Sequence, residues 1–459
     1  MRPRLVTPNA CVALTRRTVL RKAFVAPWAG ASRHALRSRP EVTAAREAGA
    51  TCWDEVGQTF AYAAALAQRA TGIDWHQLVL NVNHHHSQAT PREYELAEAT
   101  RVLHRTTAGA LNRLLRERGF DAPGSVWDKR QTHWQTLVDL EAVASRLVYD
   151  DVNCVTAGWV AHPLDVPFGH HLGFEHWKAG GLAVPKPDNP YFSKWMPAEL
   201  ELRLTPPIAL VREFEGDVDA VVAAMSALRE KRLKGLGAQS VRGVAALSAV
   251  HPWDEPDTEV EEDGDSRPFA VGRAGEEGKA LRDHCKGELY GFLHGHHDRV
   301  DAWKKGDRTS PFPAGTLRGH TFLGMALDVP AADAVLCAPF PSREEVETEL
   351  AEKRAAREKL EAARRERARI REERRQRAET FAEVDELERA FEDAMRRVKV
   401  AGDPLRRVPV LDVPTPEDIT RRALGAKRPC AKDGKRVVVL RTRARAVTRR
   451  RRGNNDPPE

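Results

Sequence analysis

The stretch "NVNHHHSQAT" (81–90) puts three histidines in a row. Along a strand, side chains alternate between faces, so His84 and His86 share one face and His85 takes the other. Two imidazoles make an incomplete metal site, and at least one further protein ligand has to come from elsewhere in the chain. The segment "YDDVN" (149–153) meets that need on a predicted helix. Tyr149 and Asn153 are four residues apart and therefore on one helical face, one offering a nucleophilic hydroxyl and the other an amide oxygen for a cation. Of the five tyrosines in the chain, Tyr149 alone is followed at that spacing by Asn or Gln.

The other histidine groups read differently. "HGHHD" (294–298) lies in a helical context, where residues two apart do not share a face, and is expected to be solvated. "GHH" (169–171) is expected in a loop, with contact to DNA as the alternative.

The elements that must position these residues form a recognisable order. "CVALTRRTVL" reads as a strand, "EVGQTFAYAAALAQRA" as a helix, and "IDWHQLVLNV" as the first of a strand pair that runs into the histidines. "TPREYELAEATRVLHRTTAGALNRLLRERG" reads as a long helix capped by Thr90 with Glu93 three residues on. "HWQTLVDLEAVASRLVYDDVNCVTAG" starts as a short strand and continues as a helix burying Leu140, Val143, Leu147 and Val148, with Gly158 near its exit. The order β-α-β-β-α-β-α predicts an α+β fold, a split βαβ or ferredoxin-like unit with an appended helix.

Length and composition bound the remainder. With 459 residues, two or three units are expected at roughly 100–200 residues each. Residues 4–169 form the first. Residues 170–340 form a second, with a strand at "AELELRLTPP", a helix at "DVDAVVAAMSALREKRLKGL" and an acidic mobile loop at 254–268. From 342 to 400 nearly every face is charged, predicting a long exposed helix or coiled coil. Only its end carries an apolar stripe (Phe381, Val384, Leu387, Phe391, Met395, Val398) able to meet a partner helix, a second copy or the body. Residues 401–459 read as a basic, largely disordered tail. No run approaches the ~18 apolar residues of a membrane span, and arginines interrupt the N-terminal apolar stretch, so a cytoplasmic protein without a secretory signal is expected. The six cysteines include no C-x-x-C pair, which argues against a zinc knuckle and a disulfide framework. The net charge of +7 is modest but unevenly placed. Arg16, Arg17, Arg21 and Lys22 near the first strand, and Arg449, Arg450, Arg451 and Arg452 in the tail, are the candidate phosphate contacts.

"NHHH" resembles the Asn-His-hydrophobic-His signature of single-tyrosine HUH transposases. "YDDVNCVTAGWVAHPLDVPFG" is similar to the Tyr-x-x-x-Asn-Pro segment of the REP-associated tyrosine transposases, and "TRRTVLRKAF" resembles their first strand. The resemblance covers residues 4–169, with weaker echoes at "AELELRLTPP" and "AWKKGDRTSPFPAGT" of a C-terminal extension in longer members. It implies a nuclease and strand transferase acting on single-stranded DNA near hairpin ends. His84, His86 and Asn153 would hold a divalent cation, Mg²⁺ or Mn²⁺, and Tyr149 would form a 5′-phosphotyrosine. Three positions depart from the pattern. His85 replaces a hydrophobic residue and is expected to weaken packing on its face unless partly solvated. Cys154 replaces a proline, so the helix need not stop there. Asp150 and Asp151 add negative charge beside the tyrosine, to repel a phosphate or assist the metal. Two rivals stand beside the enzyme: a catalytically decayed or domesticated nucleic-acid-binding protein of the same fold, and a coiled-coil interaction protein.

Overall fold

The computed structural model describes residues 5–27, 44, 52–237, 240–254, 269–314, 316, 324–328 and 341–400. The acidic segment beyond Asp254, and the basic tail with Arg449 to Arg452, lie outside the described residues. The chain divides into two units, residues 1–355 and 356–459. The first is a mixed α/β structure around a six-stranded mixed sheet; the second contributes the greater part of a long C-terminal helix.

The sheet takes β1 (Val12–Arg17), β2 (Asp74–Leu80), β3 (His84–Thr90), β4 (His133–Leu137), β5 (His171–Leu172) and β8 (Ala270–Val271) in the order β5-β2-β3-β1-β4-β8. Every neighbouring pair is antiparallel except β4 with β8. A separate antiparallel pair joins β6 (Leu182–Pro185) to β7 (Glu199–Leu202), the strand expected at "AELEL". Helix α1 (Glu55–Thr71) connects β1 to β2, α2 (Leu96–Glu117) connects β3 to β4, and α3 (Leu140–Asp151) follows β4. Further along come α4 (Val218–Leu236), α5 (Glu276–Lys304) and α6 (Arg343–Val400). Among the described residues no helix is long and apolar enough to cross a membrane.

Local chemistry explains the element ends. Asp54 caps α1 by accepting from the Val56 and Gly57 amides, and Gly72 closes it in the left-handed region at φ 76°. The buried alanines of α1 let helix and sheet approach closely, and Gly57 is required where the helix meets Gly169: a Cβ there would lie 2.6 Å from the Gly169 carbonyl carbon. Asp139 caps α3 through the Ala142 amide. The cap expected for α2 is corrected. Thr90 belongs to β3, where its hydroxyl meets His76 Nε2 at 2.7 Å, and Glu95 instead reaches back to the Arg92 and Glu93 amides before the helix starts. The first strand is also shorter than expected, because Val19–Arg21 forms a helical turn in which Leu20 and Arg21 have positive φ.

The sheet is covered on both faces. α1 and α2 lie over the face carrying His85, where the His85 ring packs 5.2 Å from Phe60 and 5.4 Å from Trp127. α3 lies over the face carrying Thr15, His86 and Gln88, and buries Val143 and Leu147 fully and Val148 nearly so. The weakened packing expected at His85 is corrected: the side chain is fully buried, with Nε2 2.8 Å from His104 Nε2 and Nδ1 3.0 Å from Ser87 Oγ. A histidine is tolerated there because each ring nitrogen finds a partner.

Burial holds four imidazoles of the core neutral. It pushes His76 down to about 4 and His85 to about 3, and holds His86 and His104 well below the usual value. In the unfolded chain a histidine titrates near 6.5, so at lower pH the unfolded state takes up protons that the folded state refuses. The stability these groups contribute is complete above about pH 6.5 and is lost as pH falls toward their folded values. Asp150, raised by burial to about 6, acts in the opposite sense but is one group against four. In EDTA, the urea midpoint should therefore fall between pH 7.5 and pH 5; a flat or rising midpoint would show that the buried imidazoles accept protons without unfolding.

Candidate functional site

The register of β1 against β3 builds the site. Arg17 pairs with His84, Arg16 with His85 and Thr15 with His86, so Thr15, Arg17, His84 and His86 share the face under α3. A tight turn precedes them: the Asn81 amide donates to the His84 carbonyl, and the Thr18 amide donates to the Asn83 carbonyl.

His84 and His86 turn their Nε2 atoms toward each other at 3.1 Å, with ring planes 88° apart. Their other nitrogens are occupied. His84 Nδ1 is 2.8 Å from Asn83 Oδ1, an acceptor, which places the proton on Nδ1. His86 Nδ1 faces Thr15 Oγ1 at 3.0 Å and Asp150 Oδ1 at 3.2 Å. Arg146 Nη2 stands 3.2 Å from the same nitrogen and 3.0 Å from Asp150 Oδ1, so Nδ1 can accept from the guanidinium or, when it carries the ring proton, donate to Thr15 Oγ1. With His84 protonated on Nδ1, the Nε2–Nε2 hydrogen bond puts a proton on His86 Nε2; a cation would replace that proton and take a lone pair from each ring once His86 carries its proton on Nδ1. With metal–nitrogen bonds of about 2.1 Å, two nitrogens at this spacing would subtend roughly 95° at one cation, an ordinary angle for adjacent ligands. Burial and then the neighbouring His84 and Arg146 keep His86 neutral, the form a metal requires. A carboxylate behind a ligating imidazole fixes its tautomer and raises its basicity. The donor set therefore fits a divalent cation, although among the described residues no group of three His, Cys, Asp or Glu converges.

α3 divides its last turn between the two environments. Tyr149 faces outward, 43% exposed, with its ring centroid 6.2 Å from that of His86 and the Arg146 guanidinium 5.0 Å from its centre. Asp150 and Asp151 are fully buried, which corrects the expectation of two charges standing beside the tyrosine. Asp150 is held by Arg146 and by Gln88 Nε2 at 3.2 Å. Asp151 is held by His171 Nε2 at 2.8 Å, with Arg229 3.7 Å away. Neither carboxylate is placed to meet a phosphate at the Tyr149 hydroxyl.

Asn153 stands beyond the end of α3, at the start of the short turn Asn153–Thr156. The helix breaks at Val152 (φ −87°, ψ 4°) despite the missing proline. Cys154 is buried there, its thiol 3.7 Å from the Asp151 carbonyl, and burial raises its pKa far enough to leave it inert. The Asn153 side chain is half-buried and makes no hydrogen bond among the described residues. Val152 thus separates Asn153 from the last turn of α3, which carries Tyr149.

The basic residues separate. Arg17 and Arg21 are half-buried and Lys22 is buried. Arg16 is corrected: it lies on the opposite face, where its guanidinium meets His104 Nδ1, Thr132 and the Asp128 carbonyl. Alternation along β1 puts it there, so it cannot share a surface with Arg17. Gly169 and His170 of "GHH" lie in the expected loop, and His171 begins β5. His170 is buried against Asp54, His171 lies in β5 against Asp151, and neither is available to DNA. "HGHHD" lies within α5; His294 and His297 are exposed as expected, whereas His296 is half-buried against Phe312. The sequence reading missed Arg146 and Asp150 as supports of His86. Their own four-residue spacing, parallel to that of Tyr149 and Asn153, was the available signal.

No family model matches the chain, and no curated protein matches it. Among solved structures, one described as the structure of a REP-associated tyrosine transposase bound to a REP hairpin aligns with 36% of this chain and 78% of its own, at 16% identity and a TM-score of 0.23. Likeness at that level fixes neither fold nor function.

The arrangement makes a specific demand on metal affinity. Calorimetric titration with Mn²⁺ should show one site that His84→Ala or His86→Ala removes and that Asp150→Asn weakens by about 10–100-fold. Unchanged affinity in His84→Ala would exclude the imidazole pair.

Proposed function

We propose that this chain is a transposase-like protein that binds single-stranded or hairpin DNA and cleaves and rejoins it through a covalent Tyr149 intermediate. His84, His86 and Asn153 would hold Mg²⁺ or Mn²⁺ on a ferredoxin-like frame. The order β2-β3-β1-β4, with α1 and α2 as the two crossovers, supports the frame. The observation that carries the reading is the facing pair of Nε2 atoms, each imidazole anchored through Nδ1, beside an outward-facing tyrosine. The resemblance of "NHHH" and "YDDVN" supplies the substrate class.

When bound, the cation would polarise the scissile phosphate and offset the charge that develops on it. The chain's own groups do the remaining work. Tyr149 stands in solvent contact with the Arg146 guanidinium over its ring. The phenol proton passes to water. The phenolate oxygen bonds to phosphorus as the phosphorus–O3′ bond breaks, and the departing 3′ oxygen takes a proton from solvent. A second 3′-hydroxyl can reverse the sequence, giving a new phosphodiester and free Tyr149 with no external energy source. His86, buried and neutral, remains a fixed donor rather than a proton carrier.

Incubation with Mn²⁺ and a hairpin-bearing single strand should yield a covalent protein–DNA species, absent in Tyr149→Phe and reduced at least about 100-fold in His84→Ala. Retained DNA binding without any adduct in the unaltered chain would instead identify a noncatalytic binding protein.

A further inference from the structure

The geometry points to α6 as a self-association element: we infer that the segment 381–397 pairs antiparallel with the same segment of a second copy of this chain. This inference is independent of the reading of Tyr149. The segment is helical, yet its apolar residues face solvent, with Phe381 63%, Leu387 49%, Phe391 45% and Met395 48% exposed. Val384, Leu387, Phe391 and Ala394 recur at the alternating three- and four-residue spacing of a coiled-coil seam.

The flanking positions select the direction. In an antiparallel pair with Val384 facing Ala394 and Leu387 facing Phe391 of the second copy, the flanks bring Phe381 to Met395, Glu383 to Arg397 and Ala390 to Ala390. Each contact occurs twice by symmetry, or once on the axis, as a two-fold interface requires. Two apolar pairs extend the seam, two ion pairs sit at its ends, and a small residue meets itself where the helices are closest. A parallel pair places Glu383 against Glu388. Shifting the antiparallel register by one heptad sets Phe381 against Glu388. The one unfavourable contact in the chosen register is Glu388 with its own copy across the axis. Exposed ion pairs add little stability, so the seam sets the strength of association while the charges set its direction.

Sedimentation equilibrium of the full chain under reducing conditions tests this, with circular dichroism confirming that each variant is folded. The unaltered chain should show a monomer–dimer equilibrium. Glu383→Arg should weaken it by about tenfold, as two exposed pairs become repulsive. Adding Arg397→Glu to that variant should restore it, and Glu388→Gln should tighten it. Ala390→Cys should form an intermolecular disulfide on mild oxidation, beyond any seen in the unaltered chain. A monomer at all concentrations overturns the inference, since the stripe then has another occupant. Tighter association in Glu383→Arg overturns it in favour of a parallel pair, and an Ala390→Cys chain that crosslinks no more than the unaltered one overturns the register.

Discussion

The antiparallel pairing of β1 with β3 is the constraint on which the molecule depends. It runs from Val12 opposite Ala89 to Arg17 opposite His84, and fixes which face every polar residue of both strands occupies. A slip of one residue would exchange the two faces and turn His85, not His84 and His86, toward α3. The register is held from both sides. Val12, Ala13 and Leu14 fill the core, while the Thr18 hydroxyl and amide both reach the Asn83 carbonyl at the open end. The imidazole pair is a consequence of that closure.

A sheet buried on both faces ordinarily carries apolar residues throughout, and this one does not. His76, Gln77, His85, His86, Ser87 and Gln88 are all buried in β2 and β3. Their cost is met by pairing across element boundaries. His85 joins His104 of α2, His86 and Gln88 join Asp150 of α3, and Asp151 joins His171 of β5. These bonds do more than satisfy buried groups: they tie each helix to a particular strand position, so α3 cannot rotate or slide without leaving two buried carboxylates unpaired.

Much of this was legible in the sequence because it follows from periodicity. The order of strands and helices, the opposed faces of His84 and His85, and the buried stripe of Val143, Leu147 and Val148 all come from spacings of two and of three to four residues. What was not legible depends on long-range pairing. Asp150 and Asp151 read as surface charges because nothing local reveals His171, 20 residues away, or Gln88, 62 residues away. Arg16 and Arg17 look alike as neighbours in a basic segment; alternation along β1 divides them between faces, and only nonlocal partners, His104, Thr132 and the Asp128 carbonyl, show that Arg16 is engaged on its face. Thr90 carried a cap signature, but the strand ladder and His76 claimed its position first. Local rules failed where a residue had a stronger nonlocal partner.

That division explains how one helical turn can serve two purposes. Tyr149 and Asp150 are adjacent, and a step of about 100° around α3 separates a side chain in solvent from one with no exposure. Arg146, one turn earlier, spans the gap, since its guanidinium contacts the Asp150 carboxylate, His86 Nδ1 and the Tyr149 ring. Tyr149 is thereby linked to the buried His86 imidazole through one charged side chain. A nucleophile must be accessible to a polymer substrate, whereas a ligand pair must be held to within about half an ångström. In the proposed roles Tyr149 would meet the first demand from the outer edge of α3, and the imidazoles the second, because the inner edge of that helix is locked to the sheet.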